Sequence, residues 1–212
     1  MPPAPFFLKN IQTSPKIFAP APVLSDTLSN KLTIITPCSR HNNIPILYKS
    51  IPFDKIDKWI IVYDTSRDRT YTKLYDGHPQ IVEVGCNGGI SGNPQRNYGM
   101  TLVDDGFIYF LDDDNIVHPD FGSIIDQLKC RYFYTFDQQR TANTIFNGHI
   151  IQIRRIDTAM FIVHKQHIKD ITWVTDRYDA DGVFISSVAR KNYGAYVYLN
   201  KVGCYYNFIR PT

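Results

Sequence analysis

The sequence of 212 residues has little of several features that mark whole classes of protein. No apolar run approaches the ~20 residues that a membrane span needs, so no membrane span is predicted. The net charge of +3 is too small to indicate nucleic-acid binding. The N-terminus has no basic region, apolar run and small-residue cleavage site in series, so no signal peptide is predicted. We therefore expect a cytoplasmic protein.

Cysteine is also scarce, and no two cysteines form a CxxC pair. The four are Cys38, Cys86, Cys130 and Cys204. This scatter indicates neither a zinc knuckle nor a disulfide framework, and it predicts free thiols in a reducing compartment. The fractions of hydrophobic and charged residues, 43% and 20%, exclude a disordered, collagen-like or coiled-coil chain.

Proline is concentrated at one end of the chain, since six of the 13 prolines fall in residues 1–30. Proline removes backbone donors and favours extended conformations. We predict a proline-rich segment over 1–30 and a single domain over 31–212, a size that suits one hydrophobic core. The chain ends directly after an apolar-aromatic stretch, as a domain cut from a longer polypeptide would.

The domain begins with short apolar runs that alternate with helical patterns. The runs predict strands at 32–36, 59–63, 81–84 and 107–111, and the intervening patterns predict helices at 44–51, 94–104 and 119–129. Such alternation predicts an α/β fold in which helices flank a central mixed, mostly parallel sheet. The second half predicts later, antiparallel strands at 131–136, 149–154, 158–163, 195–199 and 203–208, with a helix at 182–191.

Three consecutive carboxylates, Asp112, Asp113 and Asp114, follow the fourth predicted strand. Adjacent carboxylates repel one another unless a cation neutralises them, and hard oxygen ligands suit Mn²⁺ or Mg²⁺. On an extended backbone residues two apart project the same way, so we expect Asp112 and Asp114 to share a face. The alternative is an acidic, solvated turn.

A glycine-rich stretch, 85–92, follows the third predicted strand and precedes Arg96 in the first turn of a helix. Such a loop lets the backbone approach a ligand closely, and the alternative is a mobile surface loop. It is not a P-loop, because no Gly-Lys-Ser/Thr follows. An arginine at this position opposes the helix dipole, so we expect it to pair with a carboxylate or phosphate.

The remaining candidates stand at strand ends and before the last helix. Thr36 and Pro37 offer backbone groups, and Asp64 offers an acceptor, for the edge of a base or a ribose; ordinary strand-exit chemistry is the alternative. Either Asp179 or Asp181 is a candidate general base for a hydroxyl, and the alternative is a helix N-cap. Ligands of open parallel sheets bind at the carboxyl ends of the strands, where most of these residues fall.

Together these motifs resemble the donor-site motifs of GT-A fold glycosyltransferases, especially the glucuronyltransferase-like branch. The matching pieces, in order, are 36–40, 59–64, Gln95-Arg96-Asn97 and 109–115. The match is good over 31–120 and looser beyond. The whole chain is also similar to small chlorovirus glycosyltransferase domains, which build capsid glycans; a viral protein of this kind would act in the host cytoplasm.

The resemblance implies a UDP-sugar donor, a glycan or glycoprotein acceptor, and Mn²⁺ or Mg²⁺ as cofactor. It divides the domain into a nucleotide-sugar half, 31–120, and an acceptor half, 121–212. Asp114 and Asp112 would be the metal residues: Asp114 would ligate the metal directly, and Asp112 would face the donor sugar or Arg96. Asp113 would hold the ribose. The nucleotide-binding set implied is Thr36, Pro37, Arg40, Asp64, Arg96, Asp112 and Asp113.

Inverting members of the family place a carboxylate before a helix in the second half. By that match Asp181 is the catalytic base and Asp179 the second choice. The chain lacks the glutamate motif and the C-terminal His-Thr-Arg segment of the glucuronyltransferases, so neither the donor sugar nor the acceptor follows from the resemblance.

Three rival functions fit the carboxylates less well. A haloacid dehalogenase-type phosphohydrolase also has DxD after a strand, but it continues with a small residue and Thr or Val instead of Asn115-Ile116. A nucleotidyltransferase would carry a lysine in a glycine-rich loop where this chain has 37–40. A carbohydrate-binding module would not need three adjacent carboxylates.

Overall fold

The computed structural model describes residues 28–66 and 71–209, so the predicted proline-rich segment lies outside it up to residue 27. The strands of this described part are β1 Leu32–Cys38, β2 Lys58–Asp64, β3 Ile81–Cys86, β4 Phe107–Phe110, β5 Ile116–Val117, β6 Phe133–Thr141, β7 Thr144–Phe146, β8 Phe161–His164 and β9 Tyr196–Tyr205. Its α-helices are α1 Ile44–Tyr48, α2 Asn93–Thr101, α3 Phe121–Ile125 and α4 Ala180–Lys191.

The strands form one continuous sheet in the order β3-β2-β1-β4-β8-β6-β9-β5, and β7 pairs with β6. Strands β1, β2, β3 and β4 are mutually parallel. Strand β8 runs antiparallel to β4 and β6, whereas β9 is parallel to β6. The predicted α/β fold with a mixed, mostly parallel sheet is confirmed.

The central strands are apolar on both faces because helices cover both faces. One core contains Trp59 and Tyr109 of the sheet together with Ile44 of α1 and Phe121 of α3. The opposite core is built by Ile35, Val62 and Phe110 of the sheet, Met100 of α2, and Phe184, Ile185 and Val188 of α4. Continuous runs of buried residues are typical of such doubly covered strands.

Two predictions for the second half are wrong. Residues 149–154 form turns and irregular backbone instead of a strand, and Ile150 and Ile153 are exposed there, so their spacing reflects a surface segment. The predicted strands 195–199 and 203–208 are one strand, β9, which ends at Tyr205. The two polar residues between them, Asn200 and Lys201, do not form a turn. They lie where the pairing of β9 with β6 shifts in register.

The remaining differences concern boundaries. Thr158–Met160 of the predicted strand 158–163 is a 3-10 turn that precedes β8. Strand β1 continues through Pro37 to Cys38, paired with β2. The four predicted α-helices are present, three of them shorter than expected, and the predictions did not include β5 or β7.

Helix α2 sits close to the sheet because two glycines permit it. Gly92, with φ +75°, turns the chain into the helix. A Cβ on Gly99 would lie 2.6 Å from Cγ2 of Ile35 and 3.4 Å from Cγ2 of Val62, so a side chain there would separate α2 from β1 and β2. The N-terminal half of α2 is thereby held over the ends of these strands.

Cys38, Cys86 and Cys204 are free thiols, as predicted. Within residues 28–66 and 71–209, none of the helices combines the length and the apolar character that crossing a membrane requires.

Candidate active site

A cleft of about 760 Å³ opens at the carboxyl-terminal edge of β1, β2 and β4. Its wall contains nine of the ten residues proposed from the sequence: Pro37, Arg40, Asp64, Arg96, Asp112, Asp113, Asp114, Asp179 and Asp181. The tenth, Thr36, is fully buried, and its hydroxyl accepts a hydrogen bond from Trp59 Nε1 at 2.9 Å. The side chain of Thr36 therefore supports β2 and does not face the cleft.

The three aspartates do not continue the extended strand as expected. Strand β4 ends at Phe110, and the N–H of Asn115 donates to the carbonyl of Asp112 at 3.1 Å, which closes a turn. The expectation that Asp112 and Asp114 share a strand face is therefore wrong, because neither residue lies in a strand. The turn instead gives each aspartate separate partners.

Asp113 fastens the loop after β1. Its Oδ2 accepts from the backbone N–H groups of Ser39 and Arg40, each at 2.7 Å, and its Oδ1 accepts from Arg40 Nη1 at 2.5 Å. The residue is 2% exposed. Both oxygens are thus engaged within the protein, and the ribose-binding role implied for Asp113 is not favoured by this arrangement.

Asp112 pairs with the buried guanidinium of Arg96, whose Nη2 lies 2.5 Å from Asp112 Oδ1. Arg96 Nη1 donates to the carbonyl of Ser91 and to Asn93 Oδ1, and its guanidinium carbon lies 4.7 Å from the ring centre of Trp173. The prediction that Arg96 pairs with a carboxylate is confirmed. The pair joins α2 to the turn after β4.

Asp114 is the least compensated of the three carboxylates. Burial, together with the negative charge of Asp112, raises the pKa of Asp114 to about 6, although Arg40 opposes this effect. Arg40 Nη1 lies 3.2 Å from Asp114 Oδ2. Among the described residues, no group of three or more histidines, cysteines or acidic residues is arranged to hold a metal ion.

Asp64 lies at the end of β2, on the far side of the cleft. Its Oδ1 accepts from the N–H and the hydroxyl of Ser66 at 2.9 and 2.6 Å. A Cβ on Gly88 would lie 2.2 Å from that oxygen, so the glycine-rich loop passes directly against the carboxylate. The loop is packed at this point on a strand end.

The two candidate bases have opposite environments. Arg177 donates to Asp179 Oδ1 and Oδ2 at 2.9 and 3.0 Å, and this hydrogen bonding holds the pKa of Asp179 below its usual range. Burial, opposed by the Gly182 N–H and by Arg96, raises the pKa of Asp181 to about 6. Both precede or begin α4, but Asp181 is the better proton acceptor near neutral pH.

A further carboxylate in the cleft wall, Asp157, was not proposed from the sequence. It caps the 3-10 turn before β8, and its Oδ1 accepts from Gln138 Nε2 and the Ala159 N–H at 3.1 and 3.2 Å. Burial, with the negative charges of Asp112 and Asp181, raises the pKa of Asp157 to about 7. An Asp-Thr-Ala capping pattern was the only sequence sign, and it was obscured because a strand was predicted from residue 158 onward.

The outer rim of the cleft is basic and aromatic. Arg154 and Arg155 line it, and Arg154 has a φ of +69°. Tyr178 is 84% exposed and Ile150 45% exposed. This rim comes from the segment predicted as strand 149–154 and from the loop before α4, both in the second half of the chain.

Comparison with known proteins shows likeness in structure. No protein-family model matches the sequence, and no curated protein matches it. The structure of S. aureus TarS 1-349 is similar with a TM-score of 0.64 at 18% identity, over 82% of this chain and 60% of that one. TarS 1-349 in complex with UDP-GlcNAc gives 0.58 at 15%, over 82% and 58%, and its complex with UDP gives 0.59 at 16%, over 82% and 60%.

The described chain thus spans less than two thirds of the length of these TarS chains. At such identities the likeness concerns architecture. With its mixed, mostly parallel sheet, its flanking helices and its cleft at the strand ends, this chain has the GT-A fold.

Proposed function

We propose that this chain is a metal-dependent glycosyltransferase that moves a sugar from a UDP-sugar to a hydroxyl of a glycan or glycoprotein acceptor, with inversion. One observation carries the proposal: the aspartates of the turn after β4 and the weakly acidic Asp181 line one cleft at the strand ends. That the similar TarS structures include complexes with UDP and UDP-GlcNAc supports the choice of donor.

The nucleotide would lie along the edge from β2 to β4. Pro37 and Asp64 flank the end nearest the glycine-rich loop, and Asp112 and Asp114 flank the other. Arg96 and Arg40 hold these last carboxylates in place. We assign the base to the first end and the diphosphate to the second.

The residues present fit a divalent cation that is completed by substrate. Asp114, with Asp112, would hold it, since such ions take one or two carboxylates and fill the remaining positions with phosphate oxygens and water. Burial and the neighbouring charge of Asp112 raise the pKa of Asp114, and a bound cation would favour its ionised form. When bound, Mn²⁺ or Mg²⁺ would neutralise charge on the leaving diphosphate.

Asp181 is the proposed general base. It takes the proton of the acceptor hydroxyl as that oxygen bonds to the anomeric carbon and the bond from this carbon to the diphosphate oxygen breaks. Asp179 is not suited to this step, because Arg177 occupies both of its oxygens. A single displacement of this kind inverts the anomeric centre.

The first experiment is titration calorimetry of UDP with and without Mn²⁺, on the unaltered protein and on Asp114→Ala. We expect metal-dependent UDP binding that Asp114→Ala abolishes without loss of fold. Asp76→Ala, an aspartate whose side chain is 84% exposed and outside the cleft, is the matched control. UDP binding that is the same with and without metal would refute the metal role.

A panel of UDP-sugars would then rank donors by release of UDP with and without acceptor glycans. Phosphate release from p-nitrophenyl phosphate is the parallel assay for the phosphohydrolase alternative. Activity in that assay, without UDP binding, would replace the proposed function.

A further inference from the structure

Gln95 has an unusual environment for a glutamine. It is 1% exposed, and neither its Oε1 nor its Nε2 has a hydrogen-bond partner among the residues that the structure describes. Gln138 and Gln166 each also have one such unpartnered atom, but their Nε2 groups donate to other residues. A buried carboxamide without hydrogen-bond partners destabilises the folded protein. A glutamine at this position is therefore better explained by binding a ligand than by supporting the fold.

The position of Gln95 points to the cleft. It lines the cleft wall and lies one helical turn before Gly99 on α2, on the same face of the helix. Because Gly99 packs on Ile35 and Val62, Gln95 lies over the carboxyl ends of β1 and β2. These are the strand ends that carry Pro37 and Asp64.

The next residue, Arg96, reaches the other way. Its guanidinium meets Asp112 in the turn after β4. The two neighbours on α2 therefore serve opposite ends of the cleft: Arg96 the carboxylate end, and Gln95 the end where the proposed function places the base.

A carboxamide presents a donor and an acceptor side by side, whereas an ionised carboxylate only accepts. The edge of uracil presents an N–H flanked by carbonyl groups. We infer that Gln95 is a specificity-determining residue that donates from Nε2 to the carbonyl at C4 of the donor's base while Asp64 accepts the neighbouring N–H. This inference rests on the proposed function, which supplies the nucleotide.

Gln95→Met keeps the length of the side chain and removes the unpartnered Oε1 and Nε2, so we expect it to change both stability and binding. Loss of a buried structural hydrogen bond would lower the melting temperature. Here the melting temperature should stay level or rise, because apolar groups replace unpaired polar ones. At the same time UDP should bind about tenfold more weakly, the effect of one lost hydrogen bond.

The test compares binding of UDP and of pyrophosphate, both with Mn²⁺, by calorimetry. Gln95→Met should weaken UDP and leave pyrophosphate unchanged, since pyrophosphate has no base. Gln127→Met, the same change at an exposed glutamine outside the cleft, should alter neither. Equal UDP affinity in Gln95→Met, equal weakening of both ligands, or a lowered melting temperature would overturn the inference.

Gln95→Glu provides a second, isosteric test. It replaces the Nε2 donor with an acceptor, so the preference for UDP over CDP should fall, because cytosine presents an amino group where uracil presents a carbonyl. An unchanged preference would contradict the inference. If the unaltered protein does not bind UDP, the proposed function is wrong. If it binds UDP and substitutions at residue 95 do not change the affinity, only the role of Gln95 is wrong.

Discussion

Asp179 and Asp181 are two residues apart, yet their neighbours set their acid strengths in opposite directions. Arg177 keeps Asp179 ionised and occupied, whereas burial makes Asp181 a weaker acid. The sequence pattern alone predicts a carboxylate before this helix and cannot rank the two. The ranking depends on side-chain partners that only the folded loop provides.

Asp181→Asn should retain UDP binding and lose about 10² to 10⁴ of the transfer rate, the usual contribution of a general base. In the unaltered protein the turnover rate should rise with pH through about 6, where Asp181 releases its proton. A pH series of initial rates, together with calorimetry of the variant, checks both expectations. Asp179→Asn is the control, and transfer that survives in Asp181→Asn but not in Asp179→Asn would reverse the assignment.

Asp113 and Asp114 are adjacent but should respond differently to removal. Asp113→Ala would leave the N–H groups of Ser39 and Arg40 without their acceptor and the Arg40 guanidinium with Asp114 alone, a loss of about 1–3 kcal/mol. Asp114→Ala removes a poorly compensated charge and should not lower stability. Urea unfolding of both variants measures the difference. Equal losses would show that the turn does not divide structural and ligand-binding roles in this way.

Residues of the candidate site differ in how well the sequence alone predicts them. Three consecutive aspartates are conspicuous, and their position after an apolar run was enough to locate the cleft. Gln95 and Asp157 have no comparable sequence pattern. Gln95 is notable because its buried amide has no partner, and Asp157 because burial raises its pKa. Those properties come from packing and not from residue type.

At the scale of elements, β1 to β4 and α2 were predictable because their buried runs and turns are local in sequence. The second half was less so, because its pairings are remote. Strand β9 lies beside β6, and the polar residues inside it are tolerated by shifts in register. Such a shift has no local signature, so one strand was predicted as two.

Helix α2 is the element on which the proposed donor site depends, and Gly99 sets its height above the sheet. Gly99→Ala would place a Cβ 2.6 Å from Ile35, so we expect a loss of about 1–3 kcal/mol from overpacking, despite the better helix propensity of alanine. UDP binding should weaken as well, because Gln95 and Arg96 move with the helix.

Gly122→Ala in α3 is the matched control for this change. The atoms nearest to its added methyl group belong to the flexible side chain of Lys55, at 3.2 Å and beyond, so the protein should be unchanged or more stable. Thermal melts of the two variants give the comparison. A stable Gly99→Ala variant with normal UDP affinity would show that α2 does not need this close contact.

Over the whole molecule, charge is separated. The chain has a net charge of +3, yet among the residues that the structure describes seven aspartates and four arginines line the cleft. Arg40 and Arg96 are committed to the turn after β4, and Arg154 lies 3.6 Å from Asp179. Burial, together with the negative charge of neighbouring aspartates, raises the pKa of Asp114, Asp157 and Asp181, so all three are weaker acids than usual.

The raised pKa values of these three aspartates give the stability of the protein an unusual pH dependence. The folded protein holds protons on these three aspartates that the unfolded chain releases near its ordinary pKa of about 4. Their contribution to stability is present below that pH and is lost as pH rises through the folded values of about 6 to 7. These three aspartates should therefore make the unliganded protein less stable at neutral pH than in acid.

Mn²⁺ and UDP should reverse that loss, since a cation binds the ionised carboxylates and stabilises whichever state it binds. The rise in melting temperature on adding both should thus be larger at about pH 8 than at about pH 5.5, because proton release precedes cation binding. Asp114→Ala should show little rise at either pH. A rise that is equal at the two pH values, or larger in acid, would mean that the ligands bind without drawing on the ionised cluster, and the charge surplus of the cleft would then need another explanation.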